Sequence, residues 1–448
     1  MKNAWVDRFE LLRDCDSVQR RASYFPEPLH GLEALRPAAA AISLRDALSE
    51  VFVCTGQHKK ILTDLAEQAT QFSALRYPDC KTFMDAVHAP SLEISEGRLL
   101  AVCLTGLAGV GKSAILKALG RLMPKSSEVK AHPDYSPFPL ESLWAITIDT
   151  AQGELALLKA LCRRAGIQIP PRTDTSELKQ ALIRRAHRNG VTILRVDEFQ
   201  FVNQGGSANA KVTRFLLLLR ELGIILVYSA NCSLLHRLGT RNNEDRHRLL
   251  QSVIALLPEE AASPWWKTQI EAFCAVAPDV FRLDPIKDAE KLWFLTAAVP
   301  RHLRELLIAA YEIARSGGRT VVEVGDVQLA YSCPAYSMFR LDTEAIHAQN
   351  MTGEMVRKDL WVPPQYLESK STASKAMLEK AHHEADATTY LFEALTVRER
   401  QALGDVSRAV AIDQRPAEQR VTPMRKKKNP RTAASLAQGD QLFRKECL

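Results

Sequence analysis

Gly106-Leu107-Ala108-Gly109-Val110-Gly111-Lys112-Ser113 is the stretch whose reading decides the fold. It fits G-x-x-x-x-G-K-[ST] at every fixed position. Glycines let the chain curl so that successive N–H groups face a phosphate, and the helix that follows presents the positive end of its dipole. Lys112 is then placed to reach the β- and γ-phosphates, Ser113 to offer its hydroxyl to Mg²⁺, and Ala114 to follow in the first helical turn. The flanks supply the context this chemistry needs. Leu99–Thr105 (LLAVCLT) is a short apolar run that stops at Gly106, as a buried parallel strand does. Ile115, Leu116, Leu119 and Leu122 give Ser113–Met123 the apolar face of an amphipathic helix.

Further apolar runs at Ala145–Ile148, Val191–Val196, Ile224–Tyr228 and Val280–Leu283 read as strands. Helical periodicity separates them at Ser113–Met123, Gly153–Ala165, Glu177–Asn189 and Val212–Leu222. Strands alternating with helices predict βαβ units and a parallel sheet covered on both faces. Residues 1–97 read as a helical N-terminal region, in which Ser43–Ser73 carries helical spacing. Residues 98–285 read as the α/β nucleotide-binding domain. Residues 286–335 read as a helical lid, with helices at Asp288–Leu295 and Pro300–Arg315. Residues 336–448 read as a polar C-terminal extension ending in a basic tail, with one amphipathic helix at Thr388–Leu403.

Val191-Thr-Ile-Leu-Arg-Val-Asp197-Glu198 is an apolar strand ending in two carboxylates, interrupted only by Arg195. Asp197 is suited to hold Mg²⁺ through water and Glu198 to activate the attacking water as a general base. A third strand, Ile224–Tyr228, runs on into Ser229-Ala-Asn231. Asn231, or alternatively Ser229, is placed to hydrogen-bond the γ-phosphate or the lytic water. Arg237, Arg241, Arg246 and Arg248 follow, and an arginine there can stabilise transition-state charge in a neighbouring subunit's site. Arg246 and Arg241 are the first candidates, although a solvated helix start needs the same residues.

The 448 residues are 46% hydrophobic and 25% charged, which excludes collagen-like, mucin-like and wholly disordered chains. No apolar run reaches the roughly 18 residues of a membrane span. Nine cysteines lie scattered, no two within ten positions. That fits reduced thiols in the cytoplasm better than a disulfide framework or a clustered metal site. The net charge is +7, and residues 421–448 alone carry seven Lys or Arg against Asp440 and Glu446. Such a tail neutralises nucleic-acid phosphates or simply stays solvated.

Phosphate loop, Asp-Glu strand, polar strand end and trailing helices together resemble an AAA+ ATPase over roughly residues 60–335. Within that superfamily the chain is similar to the ATPase regulators of heteromeric DDE transposons, the TnsC/TniB type. Asp197-Glu198-Phe199-Gln200 matches their DE-x-Q segment, and Ile167-Gln-Ile-Pro-Pro171 their Pro-containing loop. Ala298-Val-Pro-Arg301-His-Leu-Arg-Glu-Leu-Leu307 looks like the lid segment, which usually opens with glycine and supplies a sensor arginine. Arg301 is the simplest choice and Arg304 the fallback. The resemblance implies ATP and Mg²⁺ as cofactors, an ATPase activity, and a homo-oligomeric ring or helical filament on duplex DNA. It further implies that the oligomer bridges a target-selection protein to the transposase and that hydrolysis disassembles it. Pro124–Pro133 resembles the place where such proteins insert a DNA-tracking element, so Lys125 and Lys130 become candidates for non-specific phosphate contacts, a solvated loop being the alternative. Trp265-Trp266 reads as buried against the lid, and Tyr77-Pro78 is placed to border an adenine. Replication-initiator or helicase-loader ATPases, and signalling or defence NTPase switches, are the competing classes.

Overall fold

The computed structural model describes residues 3–88, 101–125, 127–148, 153–197, 208–363 and Leu378, with backbone alone for 208–211. Before the sheet come α1 (Ala4–Asp7), α2 (Cys15–Ala22), α3 (Pro37–Glu50), α4 (Gly56–Arg76) and α5 (Cys80–His88). The helical spacing of Ser43–Ser73 is therefore carried by two helices. The break at Val51–Thr55 is fixed from both sides. Phe52 pairs with Tyr24 in an antiparallel bridge, and Thr55 with His58 forms a reciprocal cap that opens α4.

The core runs β1 (Ala101–Gly106), α6 (Lys112–Leu122), β2 (Ser127–Val129), β3 (Phe138–Leu140), β4 (Leu143–Thr147), α7 (Glu154–Arg164), α8 (Thr175–Arg188), β5 (Ile193–Asp197), α9 (Ala208–Arg220), β6 (Ile225–Ser229), α10 (Cys232–Gly239), α11 (Asn243–Leu249) and β7 (Ser252–Leu256). Five strands form one parallel sheet in the order β4-β5-β6-β1-β7. The register sets Gly106 opposite Leu256, Leu104 opposite Ser229 and Thr147 opposite Asp197, so the functional strand ends share one edge. Strand order turns around β1, and the crevice outside the carboxyl ends at such a point is where open α/β sheets bind ligands.

Alternation along the strands divides the core. Val102, Leu104, Ile193, Ile225 and Val227 face α2, α4 and α6, whereas Cys103, Leu194, Val196, Leu226 and Tyr228 face α7, α8 and α9. β2 and β3 form a separate antiparallel hairpin held on α1 and α5 by Val129, Phe138 and Leu140 against Trp5, Phe83 and Met84.

Beyond the sheet come α12 (Pro264–Cys274), α13 (Ala289–Thr296), α14 (Pro300–Ser316), α15 (Val324–Ser332) and α16 (Ser337–Thr352). Two strand expectations change here. Val280–Leu283 is not in the sheet: Phe281 makes a single bridge to Val322, while Val280, Phe281 and Leu283 fill the lid's core. The fifth strand is β7 instead. Of the tryptophan pair, Trp266 is fully buried in the lid cluster, its indole N–H donating to Ala289 O at 2.8 Å, whereas Trp265 is only half-buried. The lid is not built from C-terminal residues alone, because Leu44 and Leu48 of α3 share its core with Leu303, Leu306 and Leu307 of α14. Packed structure continues through residues 337–363, where Ile346, Leu360 and Val362 join the cluster on the phosphate-loop side of the sheet.

Candidate nucleotide site

All six residues of β1 are buried, which fixes the start of the phosphate loop rigidly on the sheet. Gly106, Gly109 and Gly111 then adopt φ of 147°, 83° and 110°, the left-handed region that L side chains avoid. Two of these positions are also sterically closed. A Cβ on Gly106 would come 2.5 Å from Leu256 O, and one on Gly109 would come 2.6 Å from the Arg301 Cβ. The turn delivers Lys112 to the first position of α6, its Nζ donating to Gly106 O at 2.9 Å and Leu107 O at 2.8 Å. That ammonium is thereby held over the loop that would receive the phosphates. Ala114, half-buried, packs against the core beneath the loop.

Asp197 closes β5 and is 7% exposed. Two hydroxyls converge on its Oδ1: Ser113 Oγ donates at 3.2 Å and Ser229 Oγ at 2.6 Å. Hard oxygen donors from helix and strand thus meet at one point, the chemistry that suits Mg²⁺, and Ser113 and Asp197 are the residues that would hold it. Glu198, Phe199 and Gln200 lie outside the described residues.

Ser229 and Asn231 divide the work at the end of β6. Ser229 is the residue joined to the carboxylate, whereas Asn231 Oδ1 accepts from Leu234 N at 3.1 Å and Ser233 Oγ at 2.9 Å and so caps α10. Its amide nitrogen is the end left to donate. The alternative named second in the sequence reading is therefore the one that touches Asp197.

From the lid, the N–H of Arg301 donates to Gly109 O at 3.3 Å, and Arg301 Cδ and Nε would lie 3.2 and 3.3 Å from a Cβ at Gly109. Arg304 turns away, donating to Glu305 Oε1 from Nε at 3.0 Å and from Nη2 at 2.8 Å. Arg301 is thus the lid cation at the phosphate loop. The turn that aims it is strained: Ala297 and Ala298 are both buried at φ 49° and 51°, costing about 1–2 kcal/mol each. The glycine-like conformation persists at Ala298 without the glycine.

The remaining candidates separate by environment. Arg241 is half-buried and ion-paired with Asp245 at 3.3 Å, while Arg246 on α11 is exposed, its Nη2 donating only to Asn243 Oδ1 at 2.9 Å among the described residues. Arg246 is the more exposed of the two. Lys125 and Lys130 are exposed at opposite ends of β2, Lys125 before the strand and Lys130 where it runs into the connection to β3. Tyr77 does not border a nucleotide. It is fully buried, stacked 5.7 Å from Trp5, with its hydroxyl donating to His187 O at 3.3 Å. The basic tail and the helix expected at 388–403 lie outside the described residues. No described helix is long and apolar enough to cross a membrane.

Gln57 also serves the site. From the first turn of α4 its Nε2 donates to Ala255 O at 2.8 Å and its Oε1 accepts from Leu257 N at 3.2 Å, bracing β7 beside the phosphate loop. An isolated glutamine carries no sequence signal for such a role.

Compared with known proteins, residues 97–260 match a family model described as AAA domain. No curated protein matches the sequence. Among solved structures, Cdc6p from Pyrobaculum aerophilum is similar with 15% identity and a TM-score of 0.38, over 52% of this chain and 62% of that one. The Aeropyrum pernix ORC2 protein shares 13% identity with a TM-score of 0.40, over 70% of this chain and 85% of its own. The Aeropyrum pernix ORC1 protein in complex with DNA shares 17% identity with a TM-score of 0.36, over 75% and 83%. With its glycine loop, its five-stranded parallel sheet and Asp197 at the strand end, the stretch 97–260 has the AAA+ P-loop fold and is similar to the AAA domain family.

Proposed function

We propose that the chain is an ATP-dependent switch that binds and hydrolyses ATP with Mg²⁺ and assembles on duplex DNA while ATP is bound. The observation that carries the nucleotide half is the convergence of Lys112, Ser113, Asp197, Ser229 and Arg301 around one loop. Lys112 and Arg301 supply positive charge for phosphate oxygens, Ser113 and Asp197 the donors for the ion, and Glu198 the base for water. Binding in a crevice between sheet and lid lets the nucleotide state bias the lid, and through it the contacts between protomers.

The DNA half is supported by the exposed Lys125 and Lys130 beside the hairpin and by the cluster of Lys and Arg at 425–431. Their chemistry suits phosphates on any sequence, hence salt-sensitive, non-specific binding. Within that reading we assign the role of a transposition regulator linking target selection to a transposase, on the DE-x-Q and lid resemblance. A replication-initiator or helicase-loader role would use the same nucleotide residues and adds a base-reading module beyond residue 363. The test is imaging and sedimentation with duplex DNA and a slowly hydrolysed ATP analogue. ATP-dependent oligomers on random duplex are expected; nucleotide-independent behaviour would remove the proposal. A strong preference for one duplex sequence would move the role to the initiator class.

A further inference from the structure

Arg195 stands two residues before Asp197 on β5, so both side chains leave the strand on the same face, towards α6. Asp197 meets Ser113 there, and one helical turn further on Arg195 Nη1 donates to Leu116 O at 2.8 Å. Gly120 leaves room for it: a Cβ at that position would lie 3.4 Å from Arg195 Nη1. Arg195 Nε is buried with no hydrogen-bond partner among the described residues. A strand interior would ordinarily hold an aliphatic residue here, as Ile193 does in the same row. The chain instead places a permanent cation in a half-buried position on the same strand face as the carboxylate that would hold the ion.

The geometry points to Arg195 as a positioning residue that also sets the strength of the divalent-cation site. Its hydrogen bond to Leu116 O fixes α6, and with it Ser113, at a set height over β5. Its charge is coupled electrostatically to Asp197 from a half-buried position and would offset part of the carboxylate's attraction for Mg²⁺. Ser113 and Asp197 alone would thus hold a divalent cation weakly, and the negative charge of bound phosphates would supply what Arg195 offsets. This rests on the nucleotide reading above.

The experiment is a Mg²⁺ titration of fluorescent-ATP binding and of nucleotide-dependent melting for wild type, Arg195→Met, Arg195→Gln and Arg195→Lys. Arg195→Met and Arg195→Gln should lower the half-saturating Mg²⁺ concentration by about threefold to tenfold, and Arg195→Lys should stay with wild type. Lower melting temperatures with an unchanged Mg²⁺ midpoint would overturn the inference, leaving a packing role only. An equal shift in Arg195→Lys would overturn it too, because charge would not be the cause. Arg195→Gln keeps a polar donor and serves if the methionine variant does not fold. Failure of the wild type to take up nucleotide with Mg²⁺ would instead sink the proposed function, and this inference with it.

Discussion

Arg301 and Gly109 touch through both backbone and side chain: the arginine N–H donates to the glycine carbonyl at 3.3 Å, and no Cβ fits between them. The lid therefore rests directly on the phosphate loop. Gly109→Ala should clash with Arg301 and force φ 83° on an L residue, losing about 2–4 kcal/mol in chemical denaturation. Arg301→Ala should leave stability within about 0.5 kcal/mol, because the side chain is exposed, while weakening ATP binding about tenfold or more. Denaturation curves and fluorescent-nucleotide titrations distinguish the two effects; equal ATP affinity in Arg301→Ala would take Arg301 out of the site.

Lys112→Ala should abolish ATP binding and ATP-dependent assembly on DNA. Glu198→Gln should retain ATP and accumulate long-lived oligomers, since binding is left intact and only activation of water is removed. Single-turnover hydrolysis and nucleotide retention after gel filtration measure both. Normal turnover in Glu198→Gln would strip that residue of its assigned role.

Ser229 Oγ donates to a carboxylate that is itself buried, so its loss is felt by a charged group. Ser229→Ala should cost about 1–3 kcal/mol of stability. It should also impair hydrolysis more than Asn231→Ala, because Asn231 Oδ1 is committed to capping α10. The reverse ranking in steady-state assays would restore Asn231 as the principal residue at this strand end.

The phosphate loop, the Asp197 strand and the alternating α/β order were legible because each depends on local pattern: glycine spacing, a buried run, a period change. What was missed depends on partners distant in sequence. Ser252–Leu256 is a short apolar run, and at that length periodicity does not separate a strand from a buried helical segment. Val280–Leu283 has the composition of a strand, but those apolar side chains enter a helical core, and a four-residue run cannot tell the two apart. The break at 51–55 and the contact of Ser229 with Asp197 likewise needed the third dimension. The lid's use of α3 was invisible for the same reason: Leu44 and Leu303 are separated by most of the domain in sequence.

Burial holds the imidazoles of His187 and His302 down to about 4 from an ordinary 6.5, since charging either would desolvate a cation in the core. The unfolded chain therefore binds more protons between those limits, and stability falls as pH drops from 6.5 towards 4. The slope is about 1.4 kcal/mol per pH unit for each group. Urea midpoints at pH 7 and pH 5 should differ strongly. His187→Phe, which keeps the stack on Phe83, should remove only the share of the slope that His187 contributes, leaving that of His302, without moving the plateau above pH 7 by more than about 1 kcal/mol. An unchanged slope would mean that His187 is protonated in the native state.

Arg121 joins the phosphate-loop helix to the segment that serves the lid. Its Nη2 donates to Ala22 O at 2.5 Å, and its guanidinium carbon lies 5.5 Å from the Tyr24 ring and 5.7 Å from the Phe52 ring. Tyr24 and Phe52 exchange backbone hydrogen bonds of 2.8 and 2.9 Å, closing a loop whose α3 is built into the lid. Arg121→Met keeps the apolar stem and removes the charge, one hydrogen bond and two ring contacts, which should cost about 1–3 kcal/mol. The loss should be local. In hydrogen exchange, the amides of Tyr24 and Phe52 should open faster in Arg121→Met while those of β1 keep their protection, because the sheet's own ladder does not use Arg121. Equal protection at Tyr24 and Phe52 would show that the backbone bridge holds the loop unaided.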